Sequence, residues 1–262
     1  MDLGLKNKTA IVAAASQGLG KATAFALAQE GARVVICSRK KRELEKTADE
    51  IWEKTQSEVI PVVADVSKMG DIKKLVQIAK KRFGTVHILV NNAGGPPTGD
   101  ILDITDDKWK KGHDLTLMSA VRMTREILPL MRKQKWGRVI TIVSIAAVQP
   151  LNDLLISTTI RPGLFGLTKV LSNKYSKENI TFNTICPGLI LTNRQKELMA
   201  VRSAEKSITM SRYIADSVRD IPLGRFGRPE EIGNVIAFLA SEKASFITGE
   251  NIIVDGGMAK GI

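Results

Sequence analysis

The chain has 262 residues, of which 44% are hydrophobic, and its formal net charge is +12 at pH 7. A chain of this size and composition can bury the core of one α/β domain. Residues 1–8 contain no apolar run suited to a signal peptide, and no apolar stretch approaches the roughly 18 residues of a membrane span. We therefore predict one cytoplasmic domain over 1–262 that does not enter a membrane.

The excess of basic residues raises the question of a nucleic-acid partner, because basic surfaces attract phosphate without sequence preference. Basic runs such as 39–42 and 80–82 lie in segments of helical pattern that also carry acidic residues. Solvated helix faces account for this pattern, so we expect no nucleic-acid partner, and no metal site either. Cys37 and Cys186 lie in strand-like apolar contexts and are predicted to be buried free thiols.

Short β-branched runs alternate with longer charged segments along the chain. Strands are predicted at 9–12, 34–37, 59–63, 88–90, 139–143, 181–185 and 252–254. Helices are predicted at 20–30, 41–55, 68–83, 106–133, 162–178 and 229–241. This alternation is typical of an α/β Rossmann fold, a doubly wound seven-stranded parallel sheet with helices on both faces.

A turn of small residues, 13–20, joins the first strand to the first helix. Such a turn lets the backbone approach a pyrophosphate, while the helix N-terminus offers free N–H groups and about half a positive charge. We predict a dinucleotide phosphate site at this turn. The expected contacts are Ser16, Gln17, Gly18, Leu19 and Gly20.

The second strand ends in Ser38, Arg39 and Lys40, and no acidic residue follows before Glu43. Sites for NAD place a carboxylate here for the ribose hydroxyls, whereas arginine accommodates a 2′-phosphate. We therefore expect NADP(H) in preference to NAD(H). The alternative is that these cations only solvate the start of the next helix.

Further landmarks follow the later strands. Asp65 and Val66 close the third strand, where a carboxylate can accept a hydrogen bond from an adenine amino group. The run 91–94, Asn-Asn-Ala-Gly, closes the fourth strand, and the run 186–192 follows the sixth. All of these lie at the carboxyl edge of the predicted sheet, where open α/β folds bind ligands.

Together with the stretches 222–232 and 248–257, these landmarks resemble the short-chain dehydrogenase/reductase family over essentially the whole chain. The resemblance implies that the ribose side of the cofactor is lined by Asn92, Ala93 and Gly94. It implies that the nicotinamide carboxamide is held by Pro187, Gly188, Ile190 and Thr192. It also implies a homodimer or homotetramer in which the helices near 106–133 and 162–178 pair between subunits.

The catalytic positions depart from the family. By the resemblance, the family uses a serine, a tyrosine that donates the proton, a lysine four residues later and an asparagine. Ser144 keeps the serine, but Thr116 takes the place of the asparagine, Ser157 of the tyrosine and Arg161 of the lysine. An alkyl hydroxyl is a far weaker acid than a phenol of pKa ~10. Arg161 can still hold the ribose but cannot relay a proton.

Two local substitutions accompany these changes. The resemblance places a glycine where Ala14 stands, and a positive φ at that alanine costs on the order of 1 kcal/mol. Pro162 is expected to push Arg161 out of the α region, so that the helix begins near 159–162 or bends there. Asn152 or Asp153 then either supplies a polar group to the site or faces solvent.

The segment 192–224 is long and charged, and it follows a strand's carboxyl end. We predict a helical lid over the substrate, with an ordinary surface insertion as the alternative. The whole pattern resembles a subgroup grouped with the 3-oxoacyl-(acyl carrier protein) reductases that lacks the full catalytic set.

Three functional hypotheses follow from this pattern. The first is an NADP(H)-dependent oxidoreductase that acts on a small carbonyl or secondary alcohol through a non-standard proton donor. The second is a catalytically silent NAD(P)-binding sensor or scaffold. The third is a lyase or isomerase without net hydride transfer.

Overall fold

Seven short runs rich in β-branched residues form strands in the computed structural model, which describes residues 1–261. The strands are β1 (Thr9–Val12), β2 (Arg33–Ser38), β3 (Val59–Val63), β4 (Ile88–Asn91), β5 (Gly137–Ile142), β6 (Ile180–Pro187) and β7 (Asn251–Val254). They pair in parallel in the order β3-β2-β1-β4-β5-β6-β7. The predicted fold class is therefore confirmed.

Helices connect these strands and cover both faces of the sheet. In residues 1–261 the α-helices are α1 (Gly18–Gln29), α2 (Lys41–Thr55), α3 (Met69–Phe83), α4 (Asp106–His113), α5 (Ser119–Gln134), α6 (Leu155–Ile160), α7 (Gly163–Tyr175), α8 (Asn193–Glu205), α9 (Met210–Val218) and α10 (Pro229–Leu239). Among the described residues, none of these helices combines the length and apolar character needed to cross a bilayer.

The core has two main parts because successive strand residues point to opposite faces, and the buried residues also include a small third cluster of Ala120, Val143, Leu164 and Cys186. Val12 belongs to a cluster that includes Ile232 of α10, whereas Ile11 belongs to the cluster on the other face, with Leu75 of α3 and Ile127 of α5. The central strands are almost wholly buried, as their apolar composition predicts, and the edge strands β3 and β7 are partly exposed.

The strand order reverses between β1 and β4, since the chain builds β2 and β3 on one side of β1 and β4 to β7 on the other. The crevice at such a reversal, outside the carboxyl ends of the strands, is where open parallel sheets bind ligands. The turn after β1 and the loop after β4 both lie at this crevice.

The helical segment predicted at 106–133 is not uniform. Residues 114–118 form a π-helical turn between α4 and α5. This turn contains Thr116, whose hydroxyl donates to the carbonyl of Gly112 at 2.7 Å. Such turns are common at functional sites because the wider turn shifts the side chains that follow it.

The helix around Pro162 is interrupted between Ile160, where α6 ends, and Gly163, where α7 begins. Of the two predicted outcomes, a helix that begins near 159–162 or one that bends there, the structure is nearer to the second. The expectation that the proline displaces Arg161 from the α region was wrong, since Arg161 has φ −64° and ψ −30°. Its N–H still donates to the carbonyl of Ser157 at 3.1 Å. The steric preference before proline is a bias that local hydrogen bonds outweigh here.

Candidate cofactor and active site

The turn between β1 and α1 has the backbone that a close-approach site requires. Gly18 has φ +58°, and a Cβ atom added to Gly20 would lie 2.8 Å from the Cα atom of Ala15, so only glycine fits there. Ala14 has φ +48°, which is the positive φ that costs an alanine on the order of 1 kcal/mol. The first turn of α1, with Ser16, Gln17 and Leu19 around it, faces the crevice at the carboxyl edge.

The loop after β4 is tied to this turn through a side chain. Nδ2 of Asn92 donates to the carbonyl of Ala13 at 3.1 Å and to that of Ala14 at 3.4 Å. Asn92 and Ala93 are half-buried, and Gly94 is exposed. The loop and the turn therefore form adjoining walls of one site.

The loop after β6 approaches the same turn from the other side. A Cβ atom added to Gly18 would lie 3.4 Å from Cγ2 of Thr192, and Oγ1 of Thr192 accepts from the N–H of Gln195 at 3.1 Å as the cap of α8. Ile190 is buried and pairs with Gly227 in an isolated bridge. The same loop begins at Pro187 and Gly188. At Gly188 an added Cβ atom would lie 2.6 Å from Cβ of Asp255. Of the residues predicted to hold the nicotinamide, Thr192 thus lies against the phosphate turn, and the others belong to the same loop.

The far end of the crevice is basic. Arg39 and Lys40 are exposed after β2, and Ser38 is buried with its hydroxyl 3.3 Å from the backbone of Lys40. Within residues 1–261, Arg39 makes no ion pair closer than the usual 4 Å limit.

Asp65 lies at the same end of the crevice, next to the buried Val66. Burial alone would raise the pKa of Asp65, but hydrogen bonds from Ser67 and the charges of Arg39 and Lys68 outweigh burial and lower it. Asp65 is therefore a carboxylate at neutral pH and can accept hydrogen bonds.

Ser144 lies just past the end of β5. Its hydroxyl accepts from the N–H of Ala146 at 3.1 Å, and the side chain is half-buried. Ser157 is only 4% exposed, one helical turn before Arg161. A serine at this position is therefore both a weak acid and largely covered by the protein.

Arg161 is buried, and its surroundings differ from the expected ribose contact. Its Nη1 donates to the carbonyl oxygens of Ile142, at 3.4 Å, and Val143, at the carboxyl end of β5. Its Nε is buried without a partner among the described residues. Burial lowers the pKa of Arg161 to about 10, and the nearby Cys186 partly opposes that shift. The guanidinium therefore stays charged at neutral pH.

One small cavity brings two of the predicted catalytic residues together. Thr116 and Arg161 both line it, together with Asn91 and Asn92. Nδ2 of Asn91 donates to the hydroxyls of Thr124 and Thr141, at 3.2 Å each, and Oδ1 has no partner among the described residues.

The two cysteines are buried free thiols, as predicted. Burial raises the pKa of Cys37 to about 12 and that of Cys186 to about 11. Both thiols are therefore protonated and poor nucleophiles at neutral pH.

Sequence reasoning missed the contacts that close the pocket wall after Ser144. Asp153 pairs with Arg202 of α8 at 3.0 Å, and Oε1 of Gln149 accepts from the N–H of Lys260 at 3.1 Å. Asn152 and Asp153 are both exposed, as the solvent-facing alternative expected, and the carboxylate of Asp153 makes its ion pair at the surface. No local sequence pattern predicts either contact, because the two partners of each contact are far apart in the chain.

The sequence matches a family model described as enoyl-(acyl carrier protein) reductase over residues 13–259. Dehydrogenase/reductase SDR family member 4 from Oryctolagus cuniculus is 37% identical over 97% of this chain and 94% of its own length. The protein of the same name from Homo sapiens is 35% identical over 97% of this chain and 88% of its own length.

Solved structures share the fold over nearly the full length. L-sorbose reductase from Gluconobacter frateurii, complexed with NADPH and L-sorbose, has a TM-score of 0.96 and 35% identity, covering 100% of both chains. Actinorhodin polyketide ketoreductase with NADPH has a TM-score of 0.92 and 27% identity, covering 97% of this chain and 98% of its own.

Proposed function

Because the chain belongs to the short-chain dehydrogenase/reductase family of oxidoreductases, we propose that it interconverts a carbonyl and a secondary alcohol with NADP(H). The observation that carries the proposal is the closure of three segments on one crevice. Asn92 binds the backbone of the phosphate turn, and Thr192 lies against Gly18 in the same turn. By the resemblance, this frame matches the family's cofactor site, whereas other residues stand at the acid–base positions.

The described residues fit NADP(H). The free N–H groups at the start of α1 bind the pyrophosphate, Arg39 binds the 2′-phosphate and Asp65 accepts from the adenine. Residues 187–192 hold the nicotinamide. When bound, the cofactor supplies or accepts the hydride. The similar G. frateurii enzyme was described with NADPH, which supports this choice.

The residues around the reacting carbon act without a phenol. The hydroxyl of Ser144 orients the substrate oxygen, and the buried charge of Arg161 stabilises negative charge that develops there. In the reduction, the hydroxyl of Ser157 or a water held by Thr116 donates the proton to the substrate oxygen and then takes a proton back from solvent. Because such groups are poor acids, we expect slow turnover: a well-placed general acid contributes ~10²–10⁴-fold.

The segment 192–224 acts as a lid, made of α8 and α9. We also propose that the protein is 3-oxoacyl reductase-like and cytoplasmic. We propose further that it forms a homodimer or homotetramer. The oligomer is supported by a groove of about 470 Å³ between α5 and α7, which is lined largely by apolar residues of both helices.

One observation favours the silent alternative, an NAD(P)-binding sensor or scaffold. Ser157 is almost fully covered, and Nη1 of Arg161 is bonded to backbone carbonyls at the end of β5. In this alternative the frame binds nucleotide and signals its presence without chemistry.

The test combines cofactor binding with hydride transfer. NADPH and NADH affinities are measured by calorimetry, and turnover is followed by cofactor absorbance against panels of ketones and secondary alcohols. Turnover with preferential NADPH binding supports the proposal. Tight NADPH binding without turnover on any substrate supports the silent alternative, and tighter binding of NADH overturns the role of Arg39.

A further inference from the structure

A hydroxyl on α2 bonds to the backbone of the phosphate turn. Oγ1 of Thr47 donates to the carbonyl oxygen of Ser16 at 2.9 Å, although the two residues are 31 positions apart in the chain. Thr47 is 2% exposed and lies in the middle of α2. The contact therefore joins the helix that follows Arg39 to the turn that the proposed function assigns to the pyrophosphate.

A threonine in a helix does not have to make such a contact. Its hydroxyl commonly bonds to the carbonyl three or four residues earlier in the same helix. Thr55, at the end of α2, does so, since its Oγ1 donates to the carbonyl of Ile51 at 2.7 Å. Thr47 reaches out of its helix instead, which makes its bond a tertiary contact rather than a local one.

The carbonyl of Ser16 has no partner in α1. The first backbone bond at this end of the helix runs from the N–H of Lys21 to the carbonyl of Gln17, at 3.3 Å, so Ser16 lies one residue before the helical pattern begins. In the described part of the chain, Thr47 is the one donor to the carbonyl oxygen of Ser16. This hydroxyl therefore fixes the direction in which the carbonyl points.

A fixed carbonyl also fixes the donor on the other side of the same peptide group. In a planar trans peptide, the C=O of one residue and the N–H of the next point in opposite directions. Because the carbonyl of Ser16 points toward α2, the N–H of Gln17 points away from α2. Gln17 is the exposed residue of the turn and directly precedes the free N–H groups at the start of α1. Thr47 thus orients a donor that adds to the anion-binding end of this helix.

Other contacts hold the surroundings of the turn without replacing this one. Asn92 bonds to two carbonyls earlier in the turn from the loop after β4. One helical turn beyond Thr47, Glu50 forms an ion pair with Lys21 of α1. Because these contacts keep the neighbouring segments together, loss of the Thr47 hydroxyl frees one peptide group rather than the whole turn.

We infer that Thr47 is a positioning residue for the pyrophosphate of the cofactor, acting through the peptide group that joins Ser16 to Gln17. The inference rests on the proposed function, because it takes the turn after β1 as the phosphate site. Thr47 is buried and uncharged, so it acts through the backbone. Its effect is confined to ligands that place a phosphate at the turn, whereas Arg39 acts on ligands that carry a 2′-phosphate.

The experiment measures the binding of NADPH, ADP and 2′-AMP to the full chain by calorimetry. ADP and 2′-AMP share the adenosine, but only ADP carries a pyrophosphate and only 2′-AMP carries the 2′-phosphate. Thr47→Val exchanges the hydroxyl for a methyl group of similar size. We expect it to weaken the binding of NADPH and ADP by about three- to tenfold, the fold-change that corresponds to one hydrogen bond, and that of 2′-AMP by less than about twofold.

Two further variants and a control separate positioning from folding. Thr47→Ser keeps the hydroxyl and should restore all three affinities to within about twofold of the wild type, whereas Thr47→Ala should repeat the pattern of Thr47→Val. Thr55→Val removes the hydroxyl that bonds within α2 and should leave every affinity unchanged. A merely structural role of Thr47 would also weaken the binding of 2′-AMP, since Arg39 lies just before the same helix.

This experiment distinguishes failure of the Thr47 role from failure of the proposed function. Equal losses for ADP and 2′-AMP, or unchanged ADP binding in Thr47→Val, overturn the role of Thr47 while the cofactor site stands. The expected ADP pattern in a protein that transfers no hydride supports the role of Thr47 and overturns the oxidoreductase function. If the wild type binds neither NADPH nor ADP, the proposed cofactor site is overturned and the role of Thr47 with it.

Discussion

Nη1 of Arg161 donates to the carbonyl oxygen of Val143, the residue directly before Ser144. This bond ties the break between α6 and α7 to the end of β5. It fixes a buried positive charge next to the serine, and it also commits that charge to the backbone. Arg161 therefore preserves the electrostatics of the site better than its proton transfer.

Restoring the phenol and the amine should restore acid catalysis. Ser157 and Arg161 are four residues apart in a nearly helical backbone, so tyrosine and lysine at these positions would lie on one face. We expect Ser157→Tyr with Arg161→Lys to raise kcat/KM for ketone reduction by about 10²–10⁴-fold. The control, Ser157→Phe with Arg161→Lys, adds the ring without the hydroxyl. Equal rates in the two variants would exclude the missing acid as the cause of slow turnover.

The strain at Ala14 should be measurable as stability. Ala14 has φ +48°, where glycine is favoured, while the neighbouring Ala15 is fully buried without a positive φ. Replacing Ala15 with glycine adds unfolded-state entropy and removes a buried methyl group, whereas Ala14→Gly also relieves strain. We expect Ala14→Gly to be more stable than Ala15→Gly by about 1 kcal/mol or more in urea unfolding. Equal losses would show that the turn carries no strain.

Arg39 should determine the preference for NADPH. A charge-assisted hydrogen bond to the 2′-phosphate is typically worth ~1.5–3 kcal/mol, so Arg39→Ala should weaken NADPH binding by about ten- to a hundredfold. NADH lacks that phosphate, and its affinity should change less than twofold. Arg42→Ala removes another exposed cation from the start of α2 and serves as the control. A similar loss for both nucleotides in Arg39→Ala would refute a specific phosphate contact.

The features that the sequence predicted correctly are those carried by short local patterns. Gly18 and Gly20 lie in a turn whose geometry follows from their missing side chains, and Arg39 directly follows β2, whose apolar run predicts a strand. The prediction that Pro162 displaces Arg161 from the α region was wrong, because the steric preference before proline takes no account of the hydrogen bonds that hold Arg161 in helical conformation. The pairing of Asp153 with Arg202 joins distant segments, and it depends on how the lid packs.

The hydrogen-bonding of Arg161 shows a second limit on sequence-based prediction. A long side chain at a known position can reach the crevice or the backbone beneath it. The family pattern favoured the ribose, whereas in the structure the guanidinium bonds to the end of β5. Which partner it takes depends on the desolvation of the guanidinium and on nearby carbonyls.

His87 should make the fold sensitive to mild acid. Its Nδ1 accepts from the N–H of Thr9 at 3.0 Å, so the folded state requires the neutral ring. Burial and the charges of Lys8 and Arg33 lower the pKa of His87 to about 4, whereas an unfolded histidine titrates near ~6.5. Between these values the unfolded chain binds more protons, so stability is full above the unfolded pKa and falls as pH drops toward 4.

The variant His87→Asn isolates this contribution, because Oδ1 of asparagine can accept from Thr9 in place of Nδ1 but does not titrate. We expect its melting temperature to depend less steeply on pH between about 6.5 and 4 than that of the wild type. Its melting temperature should also be lower at neutral pH, since it loses the edge contact with Trp136, whose ring centroid lies 5.8 Å away. His113→Asn changes the chain's only other histidine, which is exposed, and should keep the wild-type slope. If His87→Asn and the wild type lose stability in parallel over this range, protonation of His87 does not govern the acid sensitivity, and the carboxylates become the remaining source.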